Sequence, residues 1–308
     1  MRPIENSPTI VYPRWSTKGT IVAQNFDYDT LTPMGFDIES DDSIVVIDHI
    51  NHKIDRCQWK NTKTSCKILF GVGNSPRQSS PPLNYPTDVV IYRQNESLLI
   101  CDRENRRVVR VTLTSKTYLE VLISGIDCYG LALDHLENLY VSNRKNHSIY
   151  RWNLRTNQGS SIIGGRDRGN RIDQLNSPQF VFVDRDLTVY VSDYGNSRVM
   201  KWKKNANDGI LVAGDNHAGA KLSQLSEPND LFVDEFGAVY IVDSGNRRVV
   251  RWRSGAIEGE LIVGGDKNET ERTQFGYPIG LAFDQAKNLY VSDYNNNVVL
   301  KFERITTA

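Results

Sequence analysis

The sequence predicts an all-β fold, a six-bladed β-propeller made of four-stranded antiparallel blades. Three observations predict it. A hairpin with an Asp-x-x-Asn turn recurs along the chain, further short strand-like stretches flank each copy, and no segment keeps a helical period. Repeats of four short strands are typical of propellers, because one such sheet buries both of its faces only between two neighbours.

The hairpin motif sets the repeat. Its clearest copies are VYVSDYGNSRVMKW (189–202), VYIVDSGNRRVVRW (239–252) and LYVSDYNNNVVLKF (289–302). The six turn residues are spaced by 54, 41, 50, 50 and 50 residues, and they are Asp48, Asp102, Asn143, Asp193, Asp243 and Asp293. β-Branched residues on both sides of a polar turn predict two antiparallel strands in each copy. We name these strands b and c.

Two more strands complete each repeat. An apolar stretch that ends in an acid precedes the hairpin, as in FVFVD (180–184) and GLAFD (280–284), and it predicts strand a. A stretch that ends at glycine follows the hairpin, as in SIIGG (161–165) and ILVAG (210–214), and it predicts strand d.

The two ends of the repeat array predict how the ring closes. The last repeat stops after its strand c, VVLKFE (298–303), whereas GTIVAQN (19–25) is a spare strand that matches GILVAGD (209–215). We therefore expect residues 19–25 to supply the outer strand of the last blade. The predicted organisation is an N-terminal arm, 1–18, followed by a single propeller domain, 19–308.

The repeat resembles the NHL family of six-bladed propellers. Asn51-His52-Lys53-Ile54 is the copy nearest the signature, the turns NRRV (105–108 and 246–249) keep its Asn, and PIGL (278–281) fits its lead-in. The resemblance covers residues 19–303 and implies the fold. Relatives include substrate- or RNA-recognition domains of ubiquitin ligases, extracellular or sensor domains and a peptide-amidating lyase, so the resemblance does not select one function.

Charge and hydropathy disfavour several classes of function. Lys plus Arg and Asp plus Glu both total 37, and this balance disfavours an RNA-binding surface, which normally needs an excess of basic charge. No apolar run reaches the ~20 residues of a membrane span, and the start of the chain lacks the plan of a signal peptide. We expect a monomer with no membrane insertion in this chain.

The repeated turns and rings are interpreted as scaffold. We expect each turn Asp to accept backbone hydrogen bonds and to pair with a basic residue on strand c, and Asn or Gly to take the positive φ of the turn. These basic partners are Lys53, Arg107, Arg198 and Arg248. A second basic ring is expected to be solvated, and it contains Arg56, Arg110, Arg151, Lys201, Arg251 and Lys301. The aromatic residues that end strand c are expected to pack between blades, and they are Trp152, Trp202, Trp252 and Phe302.

Candidate ligand contacts lie where the repeat varies, at the start of strand a near the channel mouth. They are Asp88, Gln179, Asn229 and Asp230. Four such oxygen-bearing residues are few for Ca²⁺, which takes six to eight oxygen ligands, so we predict no metal and no cofactor and keep Ca²⁺ as an alternative. No catalytic residue is predicted, because none of the five His lies on a strand a and no GxSxG element occurs.

The four cysteines leave the compartment open. Cys57 and Cys66 flank a c–d turn, whereas Cys101 ends a strand b and Cys128 precedes the next strand a. Either pair has a geometry that allows a disulfide, although spacing alone does not fix the connectivity. Bridged cysteines would indicate an extracellular protein, and free cysteines a cytoplasmic one.

We therefore predict a non-catalytic recognition or scaffold propeller that binds a protein or peptide through its loop-rich face. The enzyme alternative is a metal-dependent hydrolase or lyase at the channel mouth. The nucleic-acid alternative is the RNA-binding NHL domain of a ubiquitin-ligase-type protein.

Overall fold

The computed structural model describes residues 12–24, 30–60, 63–71, 82–113, 118–165, 167–265 and 273–305. They form six four-stranded antiparallel sheets, so the predicted fold class is confirmed. The inner strand of each sheet contacts the inner strand of the next, and the inner strand of the sixth contacts that of the first, which closes a ring. No helix in these ranges is long and apolar enough to cross a membrane.

The first three blades have unbroken chain order. Blade 1 contains β3 (Pro33–Ile38), β4 (Ile44–Asp48), β5 (Lys53–Lys60) and β6 (Lys63–Gly71). Blade 2 contains β7 (Pro86–Tyr92), β8 (Ser97–Asp102), β9 (Arg107–Thr112) and β10 (Tyr118–Ser124). Blade 3 contains β11 (Cys128–Leu133), β12 (Asn138–Asn143), β13 (Ser148–Asn153) and β14 (Gln158–Gly164).

The remaining blades end with one built from both parts of the chain. Blade 4 contains β15 (Val181–Val183), β16 (Val189–Asp193), β17 (Arg198–Trp202) and β18 (Ile210–Ala213). Blade 5 contains β19 (Pro228–Val233), β20 (Val239–Asp243), β21 (Arg248–Trp252) and β22 (Glu260–Gly264). Blade 6 contains β23 (Pro278–Phe283), β24 (Leu289–Asp293), β25 (Val298–Phe302) and β2 (Thr20–Ala23). Single 3₁₀ turns occur at Arg93–Asn95, Tyr194–Asn196 and Ser244–Asn246.

The predicted closing strand is present. β2 pairs antiparallel with β25, and Thr20 lies opposite Lys301; of the predicted stretch 19–25, residue 25 lies outside the described residues. A second contact was not predicted: β1 (Arg14–Trp15) pairs with β26 (Arg304–Ile305). The buried Trp15 indole N–H donates to the Lys287 carbonyl at 2.9 Å. Two-residue strands are too short to show a periodic pattern, so neither strand was predictable from the sequence.

The aromatic residues that end strand c pack against the preceding blade, as predicted. Trp202 lies in one buried cluster with Tyr140 and Ile149 of blade 3. Trp252 and Phe302 are buried in the same way against blades 4 and 5, and Trp152 packs half-buried against blade 2. Each large apolar side chain therefore fills the wedge between two sheets.

Both predicted cysteine pairs are bridged. Cys57–Cys66 joins the two outer strands of blade 1, and Cys101–Cys128 joins β8 of blade 2 to β11 of blade 3. The second bridge therefore adds a covalent link between adjacent blades.

The turn Asp residues pair with their basic partners as predicted. Arg198 and Arg248 each bring Nε to within 2.7 Å of the carboxylate of their turn Asp, and Arg107 and Lys53 pair likewise. The prediction that Asn or Gly takes the positive φ is wrong in five of the six turns. Positive φ falls on the residue after the Asn, and these residues are His52, Arg106, His147, Ser197, Arg247 and Asn297. The Asn instead bonds the Asp carboxylate through its amide, as in Asn246 with Asp243 at 2.8 Å.

The second basic ring departs from the prediction at Arg251, which is only 2% exposed. Its guanidinium donates to the Pro13 carbonyl at 2.9 Å and to the Glu260 carboxylate at 2.8 Å, and it lies 4.8 Å from the centre of the Tyr12 ring. The expectation of a solvated side chain is wrong here because residues 12–15 cover this part of blade 5.

Candidate ligand site at the channel mouth

One face of the propeller carries the b–c turns and the d–a loops, and we call it the b–c face. The turn Asp of a blade accepts a backbone N–H from the loop that leads into the same blade. Asp193 accepts from Asn176 at 2.6 Å, and Asp243 accepts from Ser226 at 2.7 Å. The turn Asp accepts backbone hydrogen bonds, as predicted, but the donors belong to the d–a loop, so these bonds fasten the loop to the turn.

Two of the predicted contact residues, Asp88 and Asp230, lie in the channel wall. One oxygen of Asp88 accepts the Val89 N–H of its own blade, and the other accepts the Leu131 N–H of blade 3 at 2.7 Å. Asp230 likewise accepts the Leu231 N–H of its own blade at 2.7 Å and the Leu281 N–H of blade 6 at 2.9 Å. Both carboxylates therefore link adjacent blades.

A third carboxylate, Asp37, was missed by the sequence interpretation. It accepts the Ile38 N–H at 2.7 Å and the Ile91 N–H of blade 2 at 2.9 Å. It lies one inward-facing position farther along strand a than Asp88 does in its own blade. An acid inside the otherwise apolar stretch PMGFDI (33–38) was the available signal.

These three carboxylates line a channel cavity of about 260 Å³ together with Phe182 and Phe232. Burial raises the pKa of Asp37, raises that of Asp230 to about 7, and raises that of Asp88 well above its usual range, with a further contribution from the charge of Asp230. The described residues contain no group of three or more His, Cys, Asp or Glu side chains placed to hold a metal ion. Calcium binding therefore stays an untested alternative.

The other two predicted residues are also buried, with exposed fractions of 3% for Gln179, which lies just before β15, and 1% for Asn229, which lies on β19. The Asn229 amide donates to the Ser244 hydroxyl at 2.7 Å. Neither Gln179 Oε1 nor Asn229 Oδ1 accepts a hydrogen bond from any described residue. Ligand contact stays a prediction for all four residues. They lie beneath the surface that an arriving partner would meet first.

That surface is formed by the residue directly after each turn Asp or Asn, one per blade. We call these six residues the mouth ring, and they are His49, Arg103, Arg144, Tyr194, Ser244 and Tyr294. Five of them are half-buried and Ser244 is buried. The mouth ring was predictable in principle, because its residues vary between blades next to a repeated Asp. The candidate contacts were instead predicted on strand a.

Blades 2 and 3 make one side of the mouth basic. The guanidinium groups of Arg103 and Arg144 lie 5.6 and 5.7 Å from the centre of the buried Tyr129 ring, and Arg144 lies 5.9 Å from the centre of the Tyr194 ring. Such cation–π contacts hold a guanidinium in place without neutralising it. Arg103 has the Asp127 carboxylate at 3.5 Å, whereas Arg144 makes no ion pair with a described residue. Burial raises the pKa of Tyr129 to about 12, so this ring stays neutral.

Blades 5 and 6 make the other side acidic. The Tyr277 hydroxyl donates to the Glu227 carboxylate at 2.9 Å. A side-chain hydrogen bond also joins Tyr277 to Tyr194, and burial raises the pKa of both hydroxyls. The mouth is therefore polarised, with guanidinium groups on one side and a carboxylate on the other.

Blade 1 closes the ring with an aromatic contact. His49 Nδ1 donates to the Pro86 carbonyl at 2.8 Å, since a carbonyl oxygen only accepts. Its ring centre lies 5.1 Å from that of Tyr85 and 6.2 Å from that of Tyr294. Burial lowers the pKa of His49, which favours the neutral imidazole.

The floor of the mouth is apolar. Met34, Tyr129, Phe180 and Ile279 belong to one buried cluster, and the rings of Tyr129 and Phe180 meet edge to face at 5.6 Å. Phe180 occupies the strand position that is glycine in three other blades, so its side chain fills the space that they leave. Rigid aromatic rings, charged groups and an apolar floor together form a surface suited to specific recognition.

No protein-family model matches the sequence, and no curated protein matches it. Solved structures do match the fold. An auxiliary nutrient binding protein from Bacteroides thetaiotaomicron VPI-5482 has a TM-score of 0.71 and 11% identity over 97% of this chain and 78% of that one. A second auxiliary nutrient binding protein, from Bacteroides ovatus ATCC 8483, has a TM-score of 0.70 and 14% identity over 94% and 74%.

A catalytically inactive virginiamycin B lyase from Staphylococcus aureus, solved with quinupristin, is similar at a TM-score of 0.59 and 11% identity, over 96% of this chain and 86% of that one. Identities this low show a shared propeller architecture and nothing finer. The resemblance to the NHL family stays a prediction.

Proposed function

We propose that this propeller is a non-catalytic recognition domain that binds a segment of a protein or peptide at the channel mouth of the b–c face. The mouth ring carries the proposal. Five half-buried aromatic or cationic side chains surround an apolar floor, and they differ between blades whose scaffold residues repeat. Variable side chains on a rigid frame are the usual carriers of recognition.

The polarity of the mouth favours a peptide over RNA. Arg103 and Arg144 offer donors for a carboxylate, while Glu227 offers an acceptor for an ammonium or amide group across the mouth. The Glu227 carboxylate would repel a phosphate backbone, and the chain has no net charge to offset that repulsion. A peptide carries groups of both signs and matches this arrangement.

Two further observations support the proposal. Two of the similar structures are named auxiliary nutrient binding proteins, which agrees with a binding role for this architecture. The two disulfides favour an oxidising compartment, and therefore an extracellular or secretory setting, because such bonds are rarely stable in the cytosol.

A selection from random displayed peptides, followed by affinity measurement, tests the proposal. We expect Arg144→Gln and Tyr194→Ala each to weaken the selected peptide by about tenfold or more, because central aromatic and Arg contacts dominate interface energies. Arg106→Gln is the matched control, since Arg106 is an exposed arginine on the same face outside the mouth ring. Selected peptides that bind both mouth variants normally would refute the proposal, and tighter binding of single-stranded RNA would favour the RNA alternative.

A further inference from the structure

We propose a second ligand site, separate from the mouth, in a cleft above the b–c turn of blade 3, which takes a small polyhydroxylated molecule that bears an oxyanion. The site lies where blade 3 lacks two features of the repeat, the buried Asp–Arg pair and the long d–a loop.

Blades 4 and 5 show what normally fills this place. The Arg198 guanidinium binds the Asp193 carboxylate and also donates to the carbonyls of Asn170, Arg171 and Gln174 at 2.7–3.0 Å. Arg248 does the same with the loop that leads into blade 5. In both blades a buried arginine therefore fastens a long d–a loop over the b–c turn.

Blade 3 lacks both parts of this arrangement. Asn143 stands where the other blades have Asp, and Ser148 stands where blades 2, 4 and 5 have Arg. The d–a loop that leads into blade 3 is only 125–127, against 165–180 for blade 4 and 214–227 for blade 5. Among the described residues, blade 3 therefore has no arginine of its own and no long loop ahead of it to cover the turn.

The result is an open cleft of about 920 Å³ between blades 2 and 3. This volume is within the range of small-molecule sites. Asn143 is 8% exposed and lines the cleft, and no described residue accepts a hydrogen bond from its Nδ2. Solvent reaches this Nδ2, so it is available as a donor to a ligand in the cleft.

The cleft is rich in hydrogen-bond donors. Lys145 and Arg168 line it, and neither forms an ion pair with a described residue, while Asp167 is the one carboxylate among the described lining residues. His147 Nδ1 accepts the Ser177 N–H at 3.0 Å, so the neutral ring carries its proton on Nε2 as a further donor. Two cations against one carboxylate favour a ligand with an oxyanion.

The remaining lining groups suit a polyhydroxylated body. Ser148 and Ser161 supply hydroxyl groups, and Asn146 supplies an amide. Ile123, Ile126 and the Tyr150 ring give the cleft an apolar side against which a sugar ring can pack. The hydroxyl and amide groups can hydrogen-bond the hydroxyl groups of a carbohydrate, and the apolar side can contact its ring.

Titration calorimetry with three probes tests the site and distinguishes two sources of the oxyanion. Glucuronate carries a carboxylate, glucose 6-phosphate carries a phosphate, and glucose carries neither. We expect one of the two anions to bind at least about tenfold more tightly than glucose, which corresponds to one charge-assisted hydrogen bond.

Variants then locate the binding. We expect Arg168→Gln to weaken the preferred anion by about tenfold, again the worth of one charge-assisted contact. Arg171→Gln should leave it unchanged, because Arg171 lies in the same loop but pairs with Asp173 outside the cleft lining. Ser161→Trp fills the cleft from an exposed strand position without changing its charge, so it should abolish binding while the fold is kept. Failure of both anions to bind, or binding that survives both Arg168→Gln and Ser161→Trp, would overturn the proposal.

Discussion

Replacing the turn carboxylate of blade 5 with an amide, Asp243→Asn, tests the idea that the Asp–Arg pairs hold the turns. The Asp243 carboxylate accepts hydrogen bonds from the Ser226 N–H, the Asn246 amide and Arg248 Nε at 2.7–2.8 Å. Arg248 is buried, so the amide would leave its guanidinium without a counter-charge. Removing one partner of a buried ion pair typically costs about 3–5 kcal/mol.

Blade 6 provides the matched control. Asp293 also accepts three short hydrogen bonds, from the Gly276 and Tyr277 N–H groups and the Asn296 amide at 2.7–2.9 Å. Val298 stands where blade 5 has Arg248, so Asp293→Asn orphans no buried cation. We expect this change to cost only about 1–3 kcal/mol, the range for an unsatisfied buried polar group.

Urea unfolding with fluorescence detection measures the difference, provided that the slope m stays constant across the variants. Adding Arg248→Val to Asp243→Asn recreates the arrangement of the blade 6 variant Asp293→Asn and should recover part of the loss. If Asp243→Asn costs no more than Asp293→Asn, the buried charge is not what the turn depends on, and the reasoning fails.

Three further predictions concern the covalent link, the core and the channel. The Cys101→Ser/Cys128→Ser variant removes the disulfide that closes a loop of 27 residues. Its free energy of unfolding should fall by about 3–4 kcal/mol by the loop-entropy estimate, seen as a lower urea midpoint, and an unchanged midpoint would contradict this prediction. Trp202→Ala should cost about 3–5 kcal/mol, whereas Trp59→Ala at an exposed edge should cost much less, and equal losses would argue against inter-blade packing as the source. The folded pKa of Asp230 is raised to about 7, so its contribution to stability is fully present below pH ~4 and is lost as the pH rises through 7. The unfolding free energy of the wild type relative to Asp230→Asn should therefore fall between pH 5 and 8, and a flat difference would show that Asp230 is already ionised at pH 5.

The repeat made the architecture predictable from sequence. Six copies of one strand pattern identify the blades, and an unmatched strand at residues 19–25 identifies the closure, because both depend on local periodicity. The burial of Arg251 depends on residues 12–15 folding back across blade 5, a contact between segments more than 200 residues apart. No local pattern encodes such a contact.

The candidate site was predictable only in part. The sequence correctly directed attention to positions that break the repeat, and Asp88 and Asp230 are such positions. It could not show that backbone N–H groups of the next blade bind their carboxylates, because that depends on the spacing of the blades. The mouth ring does not lie on strand a. It lies on the b–c turns, in which the residue after each Asn has a positive φ.

The pairing of β2 with β25 also constrains the order in which the protein assembles during synthesis. Thr20 leaves the ribosome about 280 residues before its partner Lys301. Until then β2 has no strand to pair with, and the ring stays open at blade 6 with unpaired strand edges exposed, which are prone to association with other chains. This pairing joins segments about 280 residues apart, and contacts between distant segments form slowly, so blade 6 is exposed to such association for longer than a blade made of one continuous segment.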